Sequence, residues 1–318
     1  MRLPNLVLAG VGRAGSTSLF RYLSQHADIC PSRVKETRYF LPLSEGDGDS
    51  NGVLEPLERY AKLFERCGAE PYVMEATPHY FIGGGRLIEG LQGALSDPRI
   101  VITLRDPVER IWSVYRFAKG ILQLPAGMTF EQYFTLCERV FEERAPRMRE
   151  NRPYWSMRGG VYVDYLPDWL EAFANDRLLI LFFEDLRADP VSVIGKVCRW
   201  LQIDDSHVPS FDYTVENQSA PYRSRALQRV ALLANREGML RNRPSLKKPL
   251  RRLYRSINRA SDEPRMPPAI REQLENVFRY PNARLAGALL ARGYLDLPPW
   301  LSDVSPPRGG AGEHTEER

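Results

Sequence analysis

Cysteine and histidine are scarce in this chain, with four of each among 318 residues. Cys30, Cys67, Cys137 and Cys198 stand far apart and form no Cys-x-x-Cys pair. That spacing argues against a zinc site or a disulfide scaffold; it predicts four reduced, mostly packed thiols, no metal, and a cytoplasmic location. Long apolar runs are also missing. The first, around Leu6-Val7-Leu8-Ala9, is too short for a signal-peptide core or a membrane span, and reads as a buried opening strand. A dominant charge is lacking as well. Forty-four Lys and Arg against forty Asp and Glu leave +4, too slight for a nucleic-acid binder, which shows a clearly basic domain.

What is present is an ordinary globular balance of 43% hydrophobic and 26% charged residues, enough to bury a sizeable core. Leu6–Ala9 leads into Gly10-Val11-Gly12-Arg13-Ala14-Gly15, and Ser16-Thr17-Ser18 opens a helix carrying Leu19, Tyr22 and Leu23. Pro71–Met74 is a further short strand. Ile100–Leu104 is β-branched and apolar, hence a buried strand, and Asp106-Pro107-Val108-Glu109 after it is a helix start of capping-box type. Residues 160–174 read as one amphipathic helix, Leu178–Phe183 as a strand and Asp189-Pro190 as another helix start. Strands alternating with helices predict an α/β fold: a P-loop-like parallel sheet flanked by helices on both faces. We expect one domain over 1–301 with a helical C-terminal part, and a disordered tail over 302–318 rich in Gly, Pro and charge.

A strand, a glycine loop and a helix N-terminus make an anion site, because glycines let the backbone approach and the first helical turn presents free N–H groups. Arg13 adds a forked charge suited to phosphate or sulfate. The alternative is an ordinary turn into a helix. Gly10 and Gly15 have the spacing of a nucleotide-binding P-loop, but Ser16 stands where that loop needs lysine, which weakens a kinase reading. Glu184-Asp185 could imitate a magnesium-binding strand end, yet reads better as a solvated loop. Arg105 ends a buried strand, with Ser113 eight residues on. In a doubly wound sheet such strand ends meet the ligand, so Arg105 and Ser113 are expected beside Arg13. Residues 241–265 hold nine Lys and Arg against two acids. They suit either weak contact with an anionic surface, as in a non-catalytic surface-binding protein, or a solvated helix with Leu246, Leu250 and Leu253 inward.

Together these segments resemble the sulfotransferases that use 3′-phosphoadenosine 5′-phosphosulfate (PAPS). Gly10–Ser18 is similar to that family's 5′-phosphosulfate loop, and Leu104–Ser113 to its 3′-phosphate motif. Lys35-Glu36-Thr37-Arg38-Tyr39-Phe40, Glu75-Ala76-Thr77-Pro78-His79-Tyr80-Phe81, Arg158–Tyr162 and Phe183–Leu186 are similar to elements of its glycosaminoglycan-type branch. The resemblance spans about residues 3–300. It implies in-line transfer of a sulfuryl group from PAPS to an acceptor hydroxyl on a carbohydrate or small metabolite. The same resemblance implies cofactor binding by Arg13, Ala14, Gly15, Ser16, Thr17, Ser18, Arg105 and Ser113, with Tyr222-Arg223-Ser224 as candidate second phosphate loop. It places Glu36 as general base with His79 as its rival, and Arg13 at the leaving group. Tyr39, Phe40, Tyr80, Phe81 and Trp155 are candidates for an acceptor wall or for core. Arg38 stands where His is usual, and Ala76 where an acceptor-contacting Lys is usual, which argues against a heparan-like polymer.

Overall fold

The structure, a computed structural model, describes residues 2–303 apart from 46–47, 49–50, 215–221, 237–253, 255–256 and 259–264. The basic stretch with its expected Leu246, Leu250 and Leu253 face falls almost wholly outside the described residues, as does the tail from 304 onward.

Five parallel strands form the centre: β1 (Leu6–Gly10), β2 (Ile29–Pro31), β3 (Tyr72–Ala76), β4 (Arg99–Leu104) and β5 (Leu178–Phe182), in the order β2-β3-β1-β4-β5. Every residue of β1 is buried, as its apolar run and central place require. The chain leaves β1 toward β2 and β3, then crosses to β4 and β5 on its other side. The loops after β1 and β4 therefore diverge at a topological switch point, where open α/β sheets hold their ligands.

Helices cover both faces. Helix α1 (Ser16–Leu23) packs on one face through Leu19, Tyr22 and Leu23, with a later helix, Pro190–Leu201, beside it. On the other face lie Gly85–Ala94, Pro107–Gly120, Phe130–Glu142 and the long helix Pro268–Ala291. The helix Pro107–Gly120 starts where expected, with Asp106 accepting from the Val108 N–H at 2.8 Å. Its Glu109 does not close a capping box: it is drawn away to an ion pair with Arg271. The capping box is at Thr129 and Gln132, where it opens Phe130–Glu142.

The expected single helix over 160–174 is broken into turns at Arg158–Gly160 and Tyr162–Asp164, followed by a helix only over Leu166–Ala172. Close packing explains the break, since a Cβ on Gly160 would meet the Phe278 ring at 3.1 Å. The last expected strand stops at Phe182, and Phe183–Ala188 is helical rather than a loop. Among the described residues no helix is long and apolar enough to cross a membrane.

The four-thiol expectation is wrong for two cysteines. Cys30, in β2, and Cys67 form a disulfide, while Cys137 and Cys198 stay free and buried. Thirty-seven residues separate the pair in sequence, but β2 and the segment ending at Cys67 lie side by side, with Arg33 N–H donating to Leu63 O at 2.8 Å. Sequence spacing cannot show such an approach. The cysteine argument for a cytoplasmic location loses its premise with it. By loop-closure entropy a crosslink of this separation stabilises by about 4 kcal/mol. Cys67→Ser is expected to lower the unfolding free energy by about that amount in urea titrations under oxidising conditions, and dithiothreitol should bring the native protein down to the same level. A midpoint unmoved by either treatment would show that the bridge does not form.

Candidate functional site

The loop between β1 and α1 is shaped by two positive-φ residues, Arg13 at 69° and Gly15 at 81°. Gly15 caps α1, and no other residue fits there. A Cβ would come within 2.9 Å of Leu186 and 3.0 Å of Phe183, both on the short helix Phe183–Ala188 that closes over the loop. Beyond the cap, Ser16, Thr17 and Ser18 form the first turn of α1, whose N–H groups have no partner within the helix.

The structure brings Arg13, Arg105 and Ser113 together, as expected. Arg13 Nε donates to Ser113 Oγ at 3.2 Å, and Arg105 Nη1 donates to the Arg13 carbonyl at 3.0 Å. Arg105 lies 4.4 Å from the Phe183 ring centre, and Arg13 4.6 Å from that of Phe117. Arg105 makes no ion pair with Asp106 or Glu109, and its Nε is buried without a partner. Glu184 accepts the Asp106 N–H at 3.1 Å, so the short helix carrying Phe183 and Glu184 braces this corner from outside. Burial, then Arg105 and Arg116, push the Arg13 guanidinium down to about 10, and burial lowers Arg105 despite nearby carboxylates. Both remain cations at neutral pH. The corner thus crowds like charges around a helix N-terminus, a setting that favours an anion.

A cavity of about 760 Å³ opens beside the loop, lined by Arg13, Ser16 and Thr17 on one side and Glu36, His79 and Trp155 on the other. Glu36 is held by Lys35 Nζ and Arg38 Nη2, each at 3.1 Å. Its backbone is left-handed at φ 65°, as is that of Arg38 at 60°. Burial raises the Glu36 carboxyl, but Lys35, Arg38 and His79 together outweigh it and set the group below its usual range. His79 is pushed down to about 4, first by burial and then by Arg147, with Glu36 opposing and Arg38 and Arg110 adding. It is therefore a neutral imidazole at pH 7, and Glu36 is an ionised carboxylate.

The remaining candidates separate. Of the proposed acceptor wall, Trp155 lines the cavity, whereas Phe40, Tyr80 and Phe81 are buried in the core and Tyr39 stacks on Tyr60 at 4.3 Å. Tyr222, Arg223 and Ser224 do not line this cavity; Arg223 N–H and Ser224 N–H donate to Asn258 at 2.8 and 2.7 Å. The sequence reading missed Arg110, Arg147, Arg152 and Ser156, which line the cavity from helix Pro107–Gly120 and the segment after Phe130–Glu142. Arg110 sits one turn past a recognised helix start, a signal open to sequence; the others belong to an irregular stretch with no pattern.

Residues 3–287 match the family model of the sulfotransferase domain. A bifunctional heparan sulfate N-deacetylase/N-sulfotransferase 1 of Caenorhabditis elegans is 22% identical over 95% of this chain. A human heparan sulfate glucosamine 3-O-sulfotransferase 3B1 is 28% identical over 62% of it. The chain spans 31% of the first relative's length and 45% of the second's. A sulfotransferase structure from Alicyclobacillus acidocaldarius superimposes with a TM-score of 0.65 at 23% identity, covering 94% of this chain and 99% of that one. That last likeness is one of fold.

Gly15 offers a test of the loop. Gly15→Ala is expected to cost about 1–2 kcal/mol of unfolding free energy from the left-handed backbone alone. Gly12→Ala, where a Cβ meets nothing within 4 Å, is the matched control in the same denaturant titrations and should stay near the parent protein. Equal stability of the two variants would show that the loop is not fixed in this form.

Proposed function

Because the chain belongs to the sulfotransferase-domain family, we propose that it moves the sulfuryl group of PAPS to a carbohydrate hydroxyl. The observation that carries this reading is the meeting of Arg13, Arg105 and Ser113 at the mouth of α1, beside a cavity that Arg13 shares with Glu36, the one carboxylate lining it among the described residues. Guanidinium pairs and helix N–H groups suit a nucleotide with separate phosphate and phosphosulfate ends. The kinase alternative fares worse. Ser16 begins α1 where a P-loop needs its lysine, and one Glu184 oxygen is already taken by the Asp106 N–H.

The residues fit the co-substrate in chemical kind. Gly15, Ser16 and Thr17 offer backbone N–H groups and hydroxyls, and Arg13 a charge, to the 5′-phosphosulfate. Arg105 and Ser113 offer theirs to the 3′-phosphate, and the buried, partnerless Arg105 Nε is a donor still to be satisfied. The acceptor oxygen attacks sulfur as the bond to the 5′-phosphate oxygen breaks. Negative charge gathers on that oxygen, where a positioned cation lowers the barrier most. The acceptor proton passes to a base. We assign Glu36, which is ionised at neutral pH, lines the cavity and is held in place by Lys35 and Arg38; the neutral imidazole of His79, pushed down to about 4, lines the same cavity and is its rival.

A sugar acceptor accords with the cavity. Trp155 supplies a stacking face, and Arg38, Arg110, Arg147 and Arg152 give it a positive field. The relatives named above act on heparan sulfate, at an amine in one and a hydroxyl in the other. Labelled PAPS offered with matched glucosamine oligosaccharides, N-acetylated and with free amines, separates the two. Label on the N-acetylated sugar supports a hydroxyl acceptor; label confined to the free amine would move the assignment to N-transfer.

Nucleotide binding tests the cofactor corner directly. Removing a charged hydrogen bond costs about 1.5–3 kcal/mol. Arg105→Ala should weaken adenosine 3′,5′-bisphosphate by that amount in calorimetry and leave adenosine 5′-monophosphate nearly untouched. Equal losses would place Arg105 elsewhere.

Glu36→Gln keeps the shape and removes the proton acceptor, so turnover should fall by about 10²–10⁴-fold with nucleotide affinity unchanged. Lys35 and Arg38 hold this carboxyl low, so the wild-type rate should lose activity only as pH falls below the usual glutamate range. That limb should vanish in the variant. His79→Asn should cost less; the reverse ranking would hand the base role to His79.

A further inference from the structure

Behind the cavity lies a carboxyl group that the transfer reaction does not use. Glu75 is in β3, opposite Val7 of β1, and is completely buried. It does not line the cavity, so it is neither base nor substrate contact. An ionisable side chain at the middle of a sheet is costly where an apolar one would pack, and its bonds show what it does there.

Glu75 Oε2 accepts the hydroxyl of Thr37 and, at 3.3 Å, that of Thr77. Thr37 stands between Glu36 and Arg38, the two left-handed residues of the base loop. Thr77 opens the turn that carries His79 and accepts the Arg38 N–H at 3.2 Å. The Thr37 hydroxyl also lies 3.3 Å from Tyr80 Oη, which accepts the Phe40 N–H at 3.3 Å. Glu36 N–H donates to Ala76 O, one residue along β3, at 2.8 Å. The middle of the base loop, at Thr37, and the start of the His79 turn, at Thr77, thus meet on one carboxylate oxygen.

No ion pair reaches Glu75 among the described residues. The titratable groups facing it are two tyrosines, Tyr60 from Leu57–Ala61 and Tyr80 from the His79 turn. Burial pushes the carboxyl up to about 7, against the pull of its hydroxyl donors. Its other oxygen, Oε1, and the hydroxyl of Tyr60, which faces Glu75, are both buried with no hydrogen-bond partner within 3.5 Å. The group is therefore expensive in either state, and the strained loop is what it secures. Left-handed non-glycine residues cost on the order of 1–3 kcal/mol each and persist only where surrounding contacts hold them.

We propose that Glu75 is the positioning residue of the transfer site, fastening the Glu36 loop to the His79 turn through Thr37 and Thr77 without touching either substrate. The proposal rests on the sulfuryl-transfer reading for its consequence in turnover, while the fastening itself is independent of it. Glu75→Gln retains one acceptor oxygen and the side-chain shape. Thr37→Val removes the hydroxyl from the other end, and Thr37→Ser restores it.

The experiment measures two things on the full chain. The first is hydrogen exchange at the amides of Glu36 and Arg38, which needs no acceptor. Glu75→Gln and Thr37→Val should each speed both amides about tenfold or more, while the β1–β3 ladder stays protected. The second is PAPS turnover with the acceptor found as above. Misplacing a reacting group by about 1 Å costs on the order of a hundredfold. Both variants should therefore lose about ten- to a hundredfold in kcat, with the KM for PAPS and the affinity for adenosine 3′,5′-bisphosphate within about twofold of the parent.

Thr37→Ser should recover most of the rate. The double variant should be no slower than the worse single, because both act through one bond. The Glu36 limb of the pH profile should persist in Glu75→Gln at reduced height. Parent-like exchange and turnover in a folded Thr37→Val would overturn the proposal, as would losses that multiply in the double variant. Should Glu75→Gln fail to fold, the Thr37→Val and Thr37→Ser pair decides alone. A parent protein that binds no adenosine 3′,5′-bisphosphate would sink the transferase reading, and the exchange data would still judge the fastening.

Discussion

The site depends on the crowding of two guanidinium groups where β1 and β4 end. Arg13 and Arg105 come from strands that are neighbours in the sheet, and Arg105 donates to the Arg13 backbone itself. The pairing of β1 with β4 sets where the two loops begin, and the Arg105 bond to the Arg13 carbonyl ties them together. Their mutual repulsion shows in Arg13, whose hold on its proton falls with burial and with Arg105 and Arg116 nearby. Phe117 and Phe183 offer ring faces to the two cations, a modest compensation. An anion at the α1 mouth would satisfy both charges and the helix dipole at once. Two cations fixed beside a helix N-terminus are a preorganised setting for the negative charge that the proposed transfer would release.

The same logic explains where backbone strain falls. Arg13, Glu36 and Arg38 are all left-handed without being glycine, and each touches the cavity. Such residues persist only where surrounding structure over-determines them. For Arg13 the constraint is Ser113 together with Arg105; for Glu36 and Arg38 it is the hydrogen bonding to Ala76, Thr77 and, through Thr37, Glu75. The cofactor corner is held by the sheet and helix starts, while the acceptor side is held by side chains reaching between loops.

That division also governs what could be read from the residues alone. Leu6–Gly10, Arg99–Leu104 and Pro190–Leu201 announce themselves by apolar runs and by Asp-Pro caps, so the parallel sheet follows from alternation, and the meeting of Arg13 with Arg105 from the rule that such sheets hold ligands at their strand ends. Glycine, Arg and Ser in that arrangement carry a chemistry that spacing reveals. The Cys30–Cys67 bridge and the break at Gly159-Gly160 were invisible, because both are set by approaches between distant segments. The cavity's far wall was equally hidden, since Arg147 and Arg152 lie on a stretch without helical or strand period. Glu75 offered a signal: a carboxylate inside the apolar run Tyr72–Ala76 demands partners, and the nearby threonines were there to be considered.

The acceptor side is in turn tuned by its own charges. Burial, then Arg147 with Arg38 and Arg110, suppresses protonation of His79, which keeps the imidazole from competing as a cation with the acceptor's own groups. Against the effect of burial, Lys35 and then Arg38 hold Glu36 as a carboxylate, so the proposed base is ready but weak. A weak base suffices when the proton leaves late, after the sulfur–oxygen bond to the acceptor has largely formed and the acceptor oxygen has become acidic. Under the proposed reaction, this arrangement would favour a transfer in which departure of the nucleotide, assisted by Arg13, leads and proton removal by Glu36 follows. A site built the other way round would place its base in an apolar pocket, free of Lys35 and Arg38, and would need much less positive charge around the leaving group.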